Sequence, residues 1–450
     1  MTESCDNFYN AVKQKIYFYF SCLPGQKIGR IKLHKLMKQK HLVVIGGGAA
    51  GFFTAVNAAA MNTGIKVTIL EKSSKVLAKV RVSGGGRCNV THACFDIDEM
   101  IRRYPRGTNF LKKAFHHFFT TDTIQWFEEK SVELKAEADG RMFPVSNTSE
   151  AIINCLLKEA NKNGVEIRMN AEVRKITINK GDEAKSGFDI HLANGNILHG
   201  DYLCIACGGY PKAAQFDWLK ELGHTIATPV PSLFTFNIPG SAITGLMGLS
   251  VENAIVKIKG AKLSEKGPLL ITHWGLSGPA VLKLSAWGAR ALADMQYNFS
   301  ITVNWLPDFN EQTLRNEWSI LRQQYGAQKI YTRNPFRLPA RLWVYLLEET
   351  KIQAEQRWSD ITAAQQQLLI QHLTMHHFDV KGKTTFKEEF VTCGGISLND
   401  IDVNTMQSKK QPGLFFAGEV IDVDGITGGF NFQNAWTTGW IAAKAITAKA

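Results

Sequence analysis

The stretch from His41 to Lys72, HLVVIGGGAAGFFTAVNAAAMNTGIKVTILEK, constrains the fold most. A short run of branched apolar residues, His41 to Ile45, reads as a buried strand. Gly46, Gly48 and Gly51 follow in G-x-G-x-x-G spacing, and a helical segment from Phe52 to Met61 ends before Gly64. A second apolar strand, Lys66 to Leu70, leads into Glu71 and Lys72. In such a unit the first glycine allows the tight turn and the second lets backbone approach a pyrophosphate. The third lets the helix pack close to the sheet. The helix start, Ala49 and Ala50 included, offers free N–H groups and the positive dipole end to phosphates. Glu71 stands twenty residues past Gly51, where an acid accepts from a ribose diol. A dinucleotide is the expected ligand, and NAD and FAD both remain open at this point.

The far end of the chain separates them. PGLFFAGEVIDVDGITGGFNFQNAWTTGWIAAKAI, residues 412 to 446, reads as a strand from Leu414 to Ala417 that ends at Gly418 and Glu419. A glycine-rich turn, Gly425 to Gly429, precedes a helix from about Phe432, with Phe430 and Asn431 between them. An acid at a strand end suits a ribitol hydroxyl. A helix start can stabilise negative charge on the pyrimidine edge of reduced flavin. FAD is therefore the expected cofactor. Asp424 is expected to fix the turn before Gly425 as an Asx-type residue. A third glycine pair, Gly208 and Gly209, leaves the strand Tyr202 to Ala206. Cys204 and Cys207 form a C-x-x-C there. On a strand these side chains point to opposite faces, so packed thiols are expected.

A further stretch, SGGGRCNVTH at 83 to 92, looks like a phosphate loop or a redox thiol. With the phosphate loop placed at Gly46 to Gly51, it is expected to be a flexible turn near the cofactor. Gly86, Arg87, Cys88 and Asn89 are its candidate contacts, and Arg87 and Asn89 the side chains to watch. Arg87 is a fixed cation suited to pyrophosphate, flavin or a substrate carboxylate, against the plainer reading of a salt bridge. His273, in THWGLSGP, is the candidate proton donor of an inserted region. His372, His376 and His377 suggest H-x3-H-H on a helix. No acid or cysteine nearby completes a metal site, and none is expected.

Together these motifs resemble the BaiN-like flavoproteins, the aminoacetone-oxidase family of FAD-binding enzymes. The resemblance runs from about residue 41 to 446. It rests on VVIGGGAAG, SGGGRCNVTH, GRMFPVS, LLITHWGLSGPAVLKLS and GLFFAGEVIDVDGITGGFNFQ. The sequence departs from the family in lacking a basic residue before Arg87, and in YPKAAQFDWLKELGH after the Gly208–Gly209 pair. The resemblance implies an α/β, Rossmann-like FAD-binding domain of the glutathione-reductase and fumarate-reductase type, interrupted by an insertion. The FAD-binding part takes residues 41–210 and 389–450. Residues 211–388 form the inserted substrate domain, β-rich and barrel-like over 230–305 and helical over 310–380. By analogy Val173 offers backbone groups to adenine. The implied activity is hydride transfer at flavin N5, leading to an NAD(P)H-driven reductase of conjugated C=C bonds in a small substrate. Amine oxidation and an RNA-modifying flavoprotein are the alternatives. No second dinucleotide fingerprint is present, so NAD(P)H would dock only transiently.

The 52 Lys and Arg against 40 Asp and Glu raise the question of nucleic acid. Half of the net charge of +12 lies in residues 1–40, so the reading here is a small-molecule substrate, with nucleic acid disfavoured. That basic leader, with Met37 as a candidate true start, is expected to be disordered or an upstream extension. Its apolar run IYFYFSCL is too short to span a bilayer, and no membrane is expected. Eight scattered cysteines suggest reduced thiols and a cytoplasmic protein.

Overall fold

The computed structural model describes residues 39–179, 181, 187–384 and 391–450. All but the last two residues of the basic leader lie outside these. The chain begins with β1 (His41–Ile45), α1 (Ala49–Met61) and β2 (Lys66–Leu70). Further on come α2 (Glu150–Lys162), β3 (Glu166–Arg168) and a three-stranded antiparallel meander: β4 (Val173–Asn179), β5 (Gly187–Leu192) and β6 (Ile197–Gly200). β7 (Tyr202–Ile205) returns to the side of β1.

The insertion contributes β8 (Thr235–Asn237), β9 (Ser250–Ile258), β10 (Ser264–Thr272), β11 (Gly275–Ser277), α3 (Pro279–Trp287) and β12 (Asn298–Asn304). It continues through α4 (Glu311–Tyr325), α5 (Ala340–Glu349), α6 (Ala363–Met375), β13 (His376–Lys381) and β14 (Lys383–Thr384). The chain closes with β15 (Leu414–Phe416) and α7 (Phe430–Thr447).

The first sheet is parallel, in the order β15–β7–β1–β2–β3. Its strands are nearly continuous apolar runs because helices cover it. Val43, Val44, Leu203, Ile69 and Phe415 are fully buried. α1 and α7 pack closely. A Cβ at Gly439 would lie 3.0 Å from the Ala50 carbonyl oxygen, so glycine lets the two backbones touch. Phe53 of α1 completes this layer among Phe118, Trp126 and Trp436, with ring centroids 4.6 to 5.5 Å apart.

The insertion has its own apolar core, separate from the first. Its sheet runs β13–β12–β9–β10–β11–β8–β14. The two edge strands are consecutive in the chain, joined at Gly382. That residue donates to the Tyr297 carbonyl and accepts from the Asn237 N–H. The sheet therefore curls until its ends meet. The way into the insertion, Ile226–Ser232, and the way out, Val391–Ile396, pair as antiparallel strands.

One local expectation changes. α6 ends at Met375, so His376 and His377 start a strand, not a helical H-x3-H-H face. Ser149 precedes α2 but its hydroxyl donates to the Arg81 carbonyl and caps nothing. The glycine run at 84–86 is a turn, as expected: the helix that begins at Ala78 breaks at Ser83, and the three glycines have φ of +58°, +70° and +83°.

Candidate functional site

The site is built at the C-terminal ends of β1, β2, β7 and β15. Gly46 has φ +115°, and a Cβ there would meet the Ala206 carbonyl oxygen at 2.3 Å. At Gly51 a Cβ would meet the Gly46 carbonyl at 1.9 Å. Only glycine fits either place. Gly48, the N-cap of α1, faces open space: a Cβ there meets nothing within 4 Å. No side chain caps α1 and no acid lies in its first turn. The N–H groups of Ala49 and Ala50 are thus presented beside an open glycine face.

Beyond the loop lies a cavity of about 570 Å³, lined by Gly46, Glu71, Lys72, Val173, Tyr210 and Trp218 among others. Four candidates from three separate stretches of the chain, Gly46, Glu71 with Lys72, and Val173, meet there. Glu71 accepts from the Gly47 N–H at 2.8 Å, and its other oxygen accepts from Ser73 N–H and hydroxyl. Lys72 lies over the Tyr210 ring at 5.6 Å.

Gly418 brings the end of β15 against α1, since a Cβ there would meet that of Ala50 at 2.6 Å. Glu419 accepts from the Thr392 N–H at 2.8 Å and pairs with Lys79 at 2.8 Å. Gly209 lies against both, its Cβ position 2.3 Å from Thr392 Oγ1 and 2.8 Å from Glu419 Oε1.

The second glycine loop leads into α7, which starts at Phe430, two residues before the expected start, and also lacks a side-chain cap or a first-turn acid. Gly429 is pressed on Thr91, with a Cβ position 2.4 Å from its carbonyl oxygen. Asn89 bridges the two segments, accepting from the Gly429 N–H and donating to the Thr91 carbonyl, each at 2.9 Å. Asn431 holds Gly425 through both its N–H (2.8 Å) and its carbonyl (2.9 Å). SGGGRCNVTH therefore packs against the start of α7.

Several candidates have other tasks. Asp424 is fully buried; its carboxylate takes an ion pair from Arg106 and a 2.8 Å bond from Ser232. Burial pushes this carboxyl up, and Arg106 pulls it back. It is an anchor between segments, neither an Asx turn nor a group offered to a ligand. Arg87 pairs with Glu137 at 2.5 Å and lies 4.0 Å over the Phe143 ring, the plainer of its two readings. Cys88 is fully buried, and burial pushes its thiol up to about 12. Gly86 has φ +83° and open space at its Cβ position. His273 is exposed at the β10–β11 hairpin, its ring against Trp274 at 4.3 Å. Among the described residues no hydrogen bond or ring contact joins it to either glycine loop.

Sequence reasoning missed His92. Its Nδ1 lies 3.0 Å from the Gly428 carbonyl, which can only accept, so Nδ1 carries the proton. Its ring stacks on Phe430 at 4.7 Å. Burial holds its pKa down, and the charges of Arg103 and Lys283 add to this. The helix start at Phe430 was the available signal; the partner 336 residues away was not. Arg106, Arg290 and Lys79 were missed for the same reason. Arg290 binds both Asp422 oxygens at 3.0 Å.

Two uncapped helix starts, an open glycine face and an acid at a strand end fit the two halves of FAD. Residues 40–445 match the HI0933-like protein Rossmann domain family. The chain belongs to that family. Membership implies an FAD-binding Rossmann domain in a redox enzyme. The chain is 30% identical over 421 residues to the ribosomal RNA dihydrouridine synthase of Escherichia coli, covering 92% of this chain and 99% of that one. It is 26% identical over 414 residues to the 3-dehydro-bile acid delta(4,6)-reductase of Clostridium scindens, with 89% and 98% covered. A flavocytochrome c3 fumarate reductase structure has a similar fold at TM-score 0.46 and 16% identity, over 94% of this chain and 81% of that one. The resemblance to BaiN-like proteins thus widens to this FAD-dependent family. The expectation that nucleic acid is disfavoured as a partner is corrected. A relative of nearly equal length is named for its action on RNA, and counting charge at the N-terminus could not reveal that. No helix among the described residues is long and apolar enough to cross a membrane.

Proposed function

We propose that this protein reduces uridine to dihydrouridine in ribosomal RNA, as an FAD-dependent oxidoreductase. The observation that carries the reading is the 30% identity to the Escherichia coli ribosomal RNA dihydrouridine synthase across 92% of this chain, insertion included. Bound FAD would supply a hydride from N5 of its reduced form to the electron-poor carbon of a C=C bond conjugated to a carbonyl. Uracil C6 is such a carbon, and C5 takes the proton.

The chain's own residues bind and orient. The α1 start with Gly46, Gly48, Ala49, Ala50 and Gly51 would hold the pyrophosphate. Glu71 would exchange its bond to Gly47 for ribose hydroxyls. Lys72 and Val173 would face the adenosine half in the cavity. Gly208, Gly209, Gly418 and Glu419 would line the ribityl chain. The α7 start, from Gly425 through Gly428, Gly429, Phe430 and Asn431, would face the pyrimidine ring. Gly86 would let backbone approach the same ring. Asn89 and His92 are positioning residues that fix this second loop. With a single dinucleotide fingerprint in the sequence, NAD(P)H would be a transient electron donor.

The test is incubation of FAD-loaded protein with NAD(P)H and unmodified ribosomal RNA transcript, with dihydrouridine measured by nucleoside mass spectrometry. Its absence, while NAD(P)H and a steroid enone together turn over, would replace this reading with small-molecule C=C reduction. The bile-acid reductase relative favours that second reading.

A further inference from the structure

We propose that the acid-free stretch from the end of α4 through the start of α5 is a docking surface for the phosphate backbone of folded RNA. The inference rests on the RNA reading above and names the surface that reading requires. From Trp318 through Leu347 the sequence holds Arg322, Lys329, Arg333, Arg337 and Arg341 and no Asp or Glu. Two of the five have structural tasks. Arg322 donates to the Trp358 and Ser359 carbonyls at 3.2 and 2.8 Å, and Lys329 pairs with Glu355. Arg333, Arg337 and Arg341 are exposed, and among the described residues none has a carboxylate partner.

The backbone at Arg337 is the second observation. It has φ +56°, the left-handed region. A residue with a Cβ costs about 1 kcal/mol there, and glycine or asparagine would be cheaper. The turn is held by Asn334, whose amide donates to the Leu338 carbonyl at 2.7 Å and accepts from the Phe336 N–H at 3.1 Å. Phe336 and Leu338, on either side, pack into the insertion core. The turn needs no arginine, and no described group uses its guanidinium. Other non-glycine residues share this region, Leu77, Cys88 and Met406 among them, so it is the unused guanidinium and not the strain that points to a use outside the fold.

The neighbours suit nucleic acid. The Arg333 guanidinium lies 4.3 Å over the Tyr325 ring, a flat platform on which an unpaired base can stack. Arg341 is exposed and donates to the Gly245 carbonyl at 2.9 Å. All three cations without a carboxylate partner are arginines, whose planar fork matches phosphate oxygens in pairs.

The experiment measures binding of a fluorescein-labelled, uridine-containing RNA hairpin by anisotropy between 50 and 300 mM KCl. FAD-loaded wild type is compared with the R333Q/R337Q/R341Q variant, and dihydrouridine formation is assayed in parallel. Each phosphate contact contributes about 0.7–0.9 to the slope of log affinity against log salt, so losing three lowers it by about 2 to 3. We expect that drop and at least about a tenfold loss of affinity at 150 mM, with flavin absorbance and thermal midpoint unchanged. A second variant, Arg337→Gly, relieves the strained φ. It is expected to raise the thermal midpoint while weakening hairpin binding about threefold. If wild type binds and forms dihydrouridine but both variants bind with its affinity and slope, the surface is wrong and the RNA reading stands. If wild type neither binds the hairpin nor forms dihydrouridine, the RNA reading fails and the surface with it. Wild-type binding to phosphatidylserine vesicles but not to the hairpin also overturns the surface.

Discussion

The two glycine loops end alike and are held differently. Each opens into a helix with no side-chain cap and no acid in its first turn. The loop before α1 is shaped by close neighbours: Gly46 against the end of β7, Gly51 against Gly46 itself. The loop before α7 is held from a distance by Asn89, Thr91, His92, Arg106 and Arg290. The first needs a βαβ unit and the strand beside it. The second needs most of the chain in place. A phosphate cradle can be local because backbone N–H groups do the binding. A helix start aimed at a flavin ring must be oriented to within an ångström, which takes bracing from several directions.

The largest expected effect tests the local half of this contrast. In Gly51→Val the new Cβ would fall 1.9 Å from a carbonyl oxygen of the same loop. Neither backbone can move without opening the turn. We expect a loss of more than about 4 kcal/mol, seen as insoluble or flavin-free protein. A soluble variant with full FAD content would break the account of the first loop. Next comes Arg106→Ala, which leaves the buried Asp424 carboxylate unpaired and frees the Ala286 carbonyl that Arg106 also binds. The expected cost is about 3–5 kcal/mol in urea unfolding. Arg106→Ala with Asp424→Asn should recover part of it. No recovery would mean the pair is not what holds the second loop.

The first loop was legible because its causes sit within its own stretch of sequence. G-x-G-x-x-G spacing, flanking strands and Glu71 all recur in the structure as expected. The strand at Leu414–Phe416 and the β-rich character of 230–305 were legible from branched and alternating residues. The second loop was half legible. Its glycines and helix were visible, but the roles of Asp422 and Asp424 depend on Arg290 and Arg106, which no periodicity links to them. The Arg87 ion pair was hidden for a related reason: its partner Glu137 lies on a separate hairpin. His372, His376 and His377 looked like one helical face because the shift from helix to strand at Met375 carries no glycine or proline.

A smaller effect should separate the loops by pH. His92 is held below its ordinary pKa mainly by burial. The folded state therefore binds its proton less readily than the unfolded state. Its share of stability is complete above the unfolded value of about 6.5 and shrinks as pH falls toward the folded value. His92→Phe keeps a ring beside Phe430 but removes the donor to Gly428. At pH 7 we expect a loss of about 1 kcal/mol and weaker FAD retention. Between pH 7 and 5 the variant should lose less stability than wild type. An equal loss would remove His92 from the bracing set. His376, brought to about 3 by burial in the insertion, makes a parallel case outside both loops. Its substitution by Phe should flatten acid unfolding without touching FAD retention.

The smallest effects belong to Cys88 and Arg87 in SGGGRCNVTH. The thiol of Cys88 has no exposed surface, and with its pKa near 12 it stays protonated at neutral pH, so it is no nucleophile. Cys88→Ser puts a hydroxyl where Ser83 can bond it, and should cost about 1 kcal/mol or less with FAD content and turnover within twofold. Arg87→Ala removes a partly exposed ion pair with Glu137, worth about 0–1 kcal/mol. Arg141 also pairs with Glu137, so that carboxylate keeps a cation. If Arg87→Ala instead releases FAD while Tm holds, the Arg87–Glu137 bond must break when cofactor binds. The segment would then act on the cofactor directly through Arg87, as well as bracing the start of α7 through Asn89 and His92.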